Sequence, residues 1–364
     1  MSAAESPNRR EFLSGGAVLR AAQEAAQRAA LAHDPTAAHE KAVCLLHVGR
    51  SAMACQFEIY LIAGRPPLGP DIALQALDLV DQLEAQLTVY RPHSEISHLN
   101  RSAGEAPIPV EGRLFQLLLQ AQQLHADTDG AFDITAGCLS KVWGFYRREG
   151  RVPESVELEA ALERVGSQHL DLEPNLATVR FRQSGLEINL GAIGKGYALD
   201  RSAEFMLAEG VPDFLIHGGT SSILARGSRG AANDDPSGWS VALKHPLRSE
   251  ERLAEIWLRD QALGTSGAGN QFFFHRGQRY GHILDPRTGR PASGVLSSTV
   301  IASSAARADA LSTAFYVGGL SLAQSYCDAH PEVSALLITP ADRAGEVELH
   351  RFNFTPDQQA GVSN

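Results

Sequence analysis

Asp309 and Thr313 stand four residues apart in Asp309-Ala310-Leu311-Ser312-Thr313, a run of helix-forming residues, so both project from one helix face. A carboxylate and a hydroxyl stacked in this way present two hard oxygens, a pair that suits Mg²⁺ or Ca²⁺ better than zinc. The pair alone is more commonly an aspartate held by the dipole of its own helix start and a threonine bonding back to its own turn. Lys195 is the second candidate. It lies in residues 185–200, which read as a short apolar strand (Leu186 to Leu190), a turn with Gly191, Gly194 and Gly196, and an amphipathic helix running toward Glu209. Backbone N–H groups at such a helix start are unpaired and the dipole adds positive potential, so an anion can sit there. Lys195 adds a full charge in a chain with only Lys41, Lys141 and Lys244 besides it. An ordinary strand-to-helix turn with a solvated lysine has the same local sequence.

His282 and Asp285 fall at the end of a strand that runs into the proline-glycine turn Asp285-Pro286-Arg287-Thr288-Gly289. A histidine there can act as a base near neutral pH, while Asp285 also reads as a cap for the donors of its own turn. Thr265-Ser266-Gly267 is either a hydroxyl-rich anion contact or a turn. Residues 129–135 (Asp-Gly-Ala-Phe-Asp-Ile-Thr) either fold over a ligand or link two helices. Gly196 follows Lys195 where a P-loop needs Ser or Thr, and G-x-G-x-x-G after an opening strand, H-E-x-x-H and G-x-S-x-G are all missing.

The elements that must position these residues alternate along the chain. Residues 41–48 and 54–63 read as an antiparallel pair. Pro70 opens a helix in which Ile72, Leu74, Leu77, Leu79, Val80, Leu83 and Leu87 recur at helical spacing, ending in a loop over residues 90–100. A second helix covers about 111–127 with Asp129-Gly130 at its end, Trp143 and Phe145 are expected to be packed, and a third helix covers 154–164. Strands near 177–182 and 186–190, the helix after Lys195, and short strands with Gly-rich turns from 212 to 302 follow. Helices at about 305–317 and 319–329 and strands near 333–338 and 346–350 close the pattern, and no internal repeat is present. The expected fold class is α+β, a single large domain with mixed or antiparallel sheets, without the strand-helix rhythm of a doubly wound fold.

A chain of 364 residues can bury a large core, and 44% hydrophobic with 20% charged residues is ordinary for a globular protein. A formal charge of -10 without a basic block argues against nucleic acid or an anionic membrane as the main partner. Cys44, Cys55, Cys138 and Cys327 are scattered, so neither a zinc knuckle nor a disulfide framework is indicated, and buried free thiols are expected. No run of eighteen or more apolar residues exists. Residues 8–13 (Asn-Arg-Arg-Glu-Phe-Leu) resemble a twin-arginine export signature, but Arg20 and Glu24 interrupt the segment that follows, so the signal is degenerate. Residues 1–38 read as a mobile leader with a weak helix over Ala21 to Leu31, residues 39–352 as the domain, and 353–364 as a frayed tail. Ser51-Ala52-Met53-Ala54-Cys55 looks superficially like a lipoprotein box but is read as core.

The order of the motifs is more specific than any one of them. Met53, the Tyr90-to-Asn100 loop, Gly130-Ala131-Phe132-Asp133-Ile134-Thr135 with Trp143-Gly144-Phe145, the run from Leu190 to Asp200, Gly218-Gly219, Thr265-Ser266-Gly267, His282-Ile283-Leu284-Asp285-Pro286 and Ala308 to Ala314 follow one another over roughly residues 45–340. In sequence and spacing this series resembles the ApbE-like FAD:protein FMN transferases. The resemblance implies a two-lobed, T-fold-related α+β fold that binds FAD with one or two Mg²⁺ and moves FMN onto a threonine or serine hydroxyl of an acceptor flavoprotein, releasing AMP.

Carried over residue by residue, the resemblance implies Asp309, Thr313 and the backbone carbonyl of Ala192 as metal ligands, and Met53 and Tyr90 against the flavin. It further implies that Ala131, Phe132, Asp133 and Asn189 contact FAD, that Lys195 faces its phosphates, and that His282 is the base with Ile283 lining the same pocket. The chain departs from the family pattern at three places. Met53-Ala54-Cys55 replaces Met-Gly-Thr, Asn189 replaces an aspartate and so loses a charge, and Thr220 follows the Gly-Gly pair where an acidic residue is common. An Mg²⁺-dependent FAD pyrophosphatase, with water in place of the acceptor hydroxyl, and a non-catalytic flavin-binding protein are the alternatives. The family's usual setting implies a periplasmic or membrane-associated protein, and a leader that does not function implies a cytoplasmic one.

Overall fold

A computed structural model describes residues 43–354 apart from 231–236, 249, 268, 270 and 344. The twin-arginine-like segment, the rest of residues 1–42 and residues 355–364 lie outside the described residues. The described residues form one compact unit.

Its centre is an eight-stranded sheet whose paired neighbours all run antiparallel, in the order β1 (Leu45–Ala52), β2 (Cys55–Ile62), β6 (Phe214–Gly218), β7 (Ser222–Arg226), β10 (Ala262–Gly267), β13 (Ser297–Ala302), β14 (Ser334–Pro340) and β15 (Val347–Phe352). A second sheet joins β3 (Ile108–Pro109), β5 (Thr178–Phe181) and β4 (Leu170–Glu173), and two hairpins pair β8 (Trp239–Lys244) with β9 (Arg252–Leu258) and β11 (Phe272–His275) with β12 (Gln278–Gly281). The helices are α1 (Gly69–Leu87), α2 (Glu95–Ser102), α3 (Gly112–Asp127), α4 (Gly137–Val142), α5 (Ser155–Leu162), α6 (Gly194–Ala208) and α7 (Ala305–Ala329). Among the described residues no helix is long and apolar enough to cross a membrane.

Side-chain alternation along the strands builds two cores from one sheet. Phe214, Ile216, Ala262, Val300, Ala302, Ala335 and Leu337 join the main core with α1, α6 and α7. Leu215, Leu263, Ile301 and Leu336, one residue out of step, join Trp239, Val241, Ile256 and Leu258 of the β8–β9 hairpin in a second core. A third cluster, containing Leu139, Trp143, Phe145, Leu158 and Leu284, lies under β11 and β12 and packs on Phe273 and Tyr280.

Most expected elements are present, with four differences. The first strand runs over Leu45–Ala52 and not 41–48, and it turns into β2 through Met53 and Ala54, both with positive φ (47° and 60°). The 90–100 loop contains α2, because Ser94 caps it by accepting a hydrogen bond from the Ser97 N–H at 3.0 Å. Residues 186–190 are not a strand of any sheet, although Leu186, Ile188 and Leu190 alternate inward at 1%, 0% and 3% exposure. The Asn100 side chain takes the place of a neighbouring strand, donating to the Ile188 carbonyl at 2.9 Å and accepting its N–H at 2.8 Å. Finally, Asn353, at the start of the expected tail, donates to the carbonyls of Cys327 at 2.7 Å and Val333 at 3.0 Å, so it belongs to the folded body. α7 holds the two helices expected at 305–317 and 319–329, broken at Gly319 where φ is 70°.

Candidate functional site

The candidate site rests on the crossing of α6 and α7. A Cβ on Gly196 would stand 2.1 Å from the Ala305 carbonyl oxygen, and one on Gly264 of β10 would stand 2.5 Å from the Ala308 carbonyl. Only glycine allows the start of α7 to lie this close to both neighbours. Each helix then supplies the cap of the other. Asp200 of α6 accepts hydrogen bonds from the Ser304 hydroxyl (2.8 Å) and from the N–H groups of Ala305 (2.8 Å) and Ala306 (2.9 Å) at the head of α7. Asp309 of α7 accepts the Gly196 N–H at 2.8 Å, one of the N–H groups that α6 leaves unpaired at its own start.

This exchange changes two of the sequence readings. Asp309 does not neutralise its own helix start, since it faces the start of α6 and accepts the Ser222 hydroxyl at 2.7 and 2.9 Å. The anion expected at the glycine turn is therefore already present as this carboxylate. The N–H groups of Ile193 and Gly194 are also engaged, both with the Leu190 carbonyl, at 3.1 and 2.7 Å. Lys195, which lines the cleft, adds a positive charge for a further anion.

Asp309 is 6% exposed. Burial pushes its carboxyl up to about 6 against the opposing pull of the Lys195 charge, the Ser222 hydroxyl and the Gly196 N–H. Beside it, Ser266 at the end of β10 bonds to the hydroxyls of Ser312 at 2.9 Å and Thr313 at 3.0 Å. Thr313 thus reaches across to the sheet, and it is Ser312 that bonds back to its own turn, at 2.9 Å to the Asp309 carbonyl. The result is a cluster of one desolvated carboxylate and several hydroxyls, all hard oxygens. Among the described residues no group of three or more His, Cys, Asp or Glu side chains is placed to hold a metal ion. A carboxylate, hydroxyl and carbonyl set is a different donor class, and its chemistry fits Mg²⁺, which keeps waters and needs few protein carboxylates.

Asp309, Ser266, Ser312 and Thr313 line one cleft of about 400 Å³ that also takes in Tyr90, Ala131, Phe132, Asp133, Asn189, Ala192, Lys195, His282, Ile283 and Thr265. His282 follows β12, and its Nδ1 lies 3.0 Å from the Gln271 carbonyl, which can only accept, so Nδ1 carries the proton and Nε2 keeps its lone pair. Burial, helped by the Lys195 charge, holds the ring below the usual imidazole range despite that hydrogen bond, so it is neutral at pH 7. Asp285 does what an Asp-Pro turn ordinarily does, accepting the Arg287 N–H at 2.9 Å and pairing with its guanidinium.

The remaining residues expected to contact FAD differ in burial. Met53 is half-buried against the main core and is not among the residues lining the cleft. Ala131 and Phe132 are each 1% exposed, so their contribution to a ligand is backbone. The Asp133 carboxylate is turned inward, pairing with His125 at 3.0 Å and accepting from Thr135 and Ser167, which fixes the 131–135 loop. Asn189 lines the cleft and accepts the Gly191 N–H at 2.9 Å, a role an aspartate would serve equally. Tyr90 is 64% exposed and leans on Tyr146 with ring centroids 4.7 Å apart.

Ser222, Ser312, Asn100, Asp200 and Gln271 also serve the site without having been expected there. Ser312, Asn100 and Asp200 stood inside the motifs above, but Asn100, Asp200 and Ser222 act on partners 88, 104 and 87 positions away, which local spacing does not reveal, and Gln271 acts on His282 from across a hairpin.

Comparisons with known proteins point to one family. A family model described as the ApbE family matches residues 53–337. The FAD:protein FMN transferase of Vibrio cholerae is 30% identical over 323 residues, covering 87% of this chain and 94% of that protein. Among solved structures, the flavin transferase ApbE of Vibrio cholerae superposes with a TM-score of 0.73 at 27% identity, covering 85% of this chain and 97% of that one. The apo form of the flavinyl transferase ApbE of Pseudomonas stutzeri gives a TM-score of 0.74 at 26% identity, covering 85% and 95%.

Proposed function

The chain belongs to the ApbE family, and from that premise we propose that it transfers FMN from FAD to a threonine or serine hydroxyl of an acceptor flavoprotein, releasing AMP in an Mg²⁺-dependent reaction. The observation that carries the proposal is the convergence of Asp309, Thr313, Lys195 and an Nε2-basic His282 on one cleft. In this reading the acceptor oxygen attacks the phosphorus on the riboflavin side of the diphosphate. The new P–O bond forms as the bond to the bridging oxygen breaks, and AMP departs with that oxygen. His282 Nε2 takes the proton of the attacking hydroxyl, a contribution of roughly 10²–10⁴-fold. Lys195 balances charge on the diphosphate, where phosphoryl-type transfer depends most on positioning and neutralisation.

Asp309, Thr313 and the Ala192 carbonyl are the residues that would hold Mg²⁺, which when bound supplies further neutralisation of the diphosphate. Support for this assignment comes from Asp309 itself, since a buried carboxylate with its pKa pushed up to about 6 gains most from a cation that keeps it ionised. Asn189 and the backbone at 131–133 would orient FAD, and Tyr90 would cover the flavin at the mouth.

The test is to incubate the protein with FAD and Mg²⁺, with and without an acceptor domain carrying a threonine flavinylation motif, and to follow FMN and AMP chromatographically. A transferase yields AMP only with the acceptor and leaves little free FMN. Equal amounts of free FMN and AMP without the acceptor would make the protein an FAD pyrophosphatase, and tight FAD binding with no AMP in either case would make it a binding protein.

A further inference from the structure

The hairpin of β11 and β12 begins and ends on the rim of the cleft. Gln271, just before β11, and His282, just after β12, both line the cleft and are clamped together by the Gln271 carbonyl, which accepts from the His282 N–H at 3.2 Å and from Nδ1 at 3.0 Å. Alternation gives the hairpin two faces. On the inner face Phe273 and Tyr280, directly opposite each other, pack on Trp143 at 6.4 and 5.6 Å between ring centroids. On the outer face Phe272 and Phe274 meet edge to face at 5.6 Å and are 42% and 66% exposed. The Arg279 guanidinium lies over the Phe272 ring at 4.0 Å.

Two neighbouring, exposed phenylalanines on a firmly anchored hairpin beside the candidate base are a surface that gains by being covered. Its charge indicates by what. Between Gln271 and Arg290 the sequence has four arginines, Arg276, Arg279, Arg287 and Arg290, and one acid, Asp285, in a chain whose formal charge is -10. Arg276 and Arg279 flank the outer phenylalanines at the turn and on β12.

We propose that this outer face docks the acceptor protein, taking an extended segment that carries an apolar and an acidic residue beside the threonine or serine to be modified; the inference rests on the transferase reading above. An extended chain advances about 3.3 Å per residue. With its hydroxyl at His282 Nε2, a chain following β12 would bring residues some one to four positions away onto Phe272, Phe274 and the arginines. The hairpin therefore selects the acceptor, and the cleft selects FAD.

The test uses the full-length protein with an acceptor domain bearing a threonine flavinylation motif and an acidic residue within four positions of it. The Phe272→Ser, Phe274→Ser double variant and the Arg276→Glu, Arg279→Glu double variant should each raise KM for the acceptor by about tenfold or more. FAD affinity, read by flavin fluorescence, should stay within about twofold of the parent value, as expected for residues outside the FAD cleft. Replacing the acceptor's acidic residue by lysine should restore much of the transfer by the arginine-reversed variant, which a purely structural role would not allow. Arg276→Glu alone, at an exposed turn, gives the same reading without disturbing the aromatic face. Unchanged KM for the acceptor, or a matching loss of FAD affinity, would overturn the inference. Absence of transfer by the unaltered protein would instead refute the transferase reading on which it rests.

Discussion

Gly196→Ala is a substitution for which helix propensity and packing predict opposite signs. In the interior of an exposed helix the change would stabilise by about 0.8–1 kcal/mol. Here the new Cβ would stand 2.1 Å from the oxygen and 2.3 Å from the carbon of the Ala305 carbonyl, and 2.6 Å from the Ala306 nitrogen. These are backbone atoms of a capped helix and cannot swing aside, so α6 and α7 must part by roughly 1 Å to reach van der Waals contact. That displacement strains the 2.8 Å bond from the Gly196 N–H to Asp309 and the 2.8 and 2.9 Å bonds from Ala305 and Ala306 to Asp200. Overpacking of this kind costs about 1–3 kcal/mol, and each hydrogen bond to a charged group that is lost costs about 1.5–3 kcal/mol more. After subtracting the propensity gain, a net destabilisation of about 2–5 kcal/mol is expected, a fall in Tm of roughly 3–8 °C for a domain of this size. Thermal unfolding followed by circular dichroism measures it. A Tm equal to or above that of the parent would refute the reciprocal-cap account of the site.

Two further predictions concern titration. In an NMR titration the His282 ring should titrate below its ordinary value of 6.5, because burial and the Lys195 charge both disfavour the imidazolium, and Lys195→Met should raise it; a parent value above 6.5 would contradict the assigned environment. For the pair of buried Asp133 and half-buried His125, burial opposes both charges but the mutual hydrogen bond prevails, lowering Asp133 from 3.8 and raising His125 from 6.5. The aspartate's contribution to stability is present above 3.8 and lost as pH falls through its lower folded value, whereas the histidine's is complete below 6.5 and lost as pH rises through its higher folded value. Asp133→Ala should therefore destabilise by about 3–5 kcal/mol near pH 5–6, with a smaller difference in more acid and more alkaline solution; a Tm difference that does not vary with pH would contradict this.

The residues legible in the sequence were those whose chemistry is local. Asp309 and Thr313 share a helix face by their spacing, Lys195 follows a glycine turn, and His282 ends a strand, and all four reach one cleft. What escaped depends on partners far along the chain. Residues 186–190 have the apolar alternation of a strand, but the backbone of Ile188 is satisfied by the Asn100 side chain, 88 positions away, and the other edge makes a single parallel bridge from Glu187 to Ala136, so no strand is built. The glycine turn has the form of an anion site, yet the anion it meets is a carboxylate 113 positions distant. The 90–100 segment reads as a loop from its polar residues, while the capping serine that starts α2 stands among them. Met53 shows the opposite case, since the resemblance that places it on the flavin meets a half-buried side chain in a left-handed turn, packed against the core.

The most direct test of the central claim is the intact mass of an acceptor domain after incubation with this protein, FAD and Mg²⁺. The account predicts that the acceptor gains the mass of one FMN at its threonine. It also predicts that the gain disappears when that threonine is alanine or Mg²⁺ is chelated, and that Asp309→Ala abolishes it. An unmodified acceptor with the parent protein would contradict the transferase reading, and undiminished modification by Asp309→Ala would contradict the metal assignment.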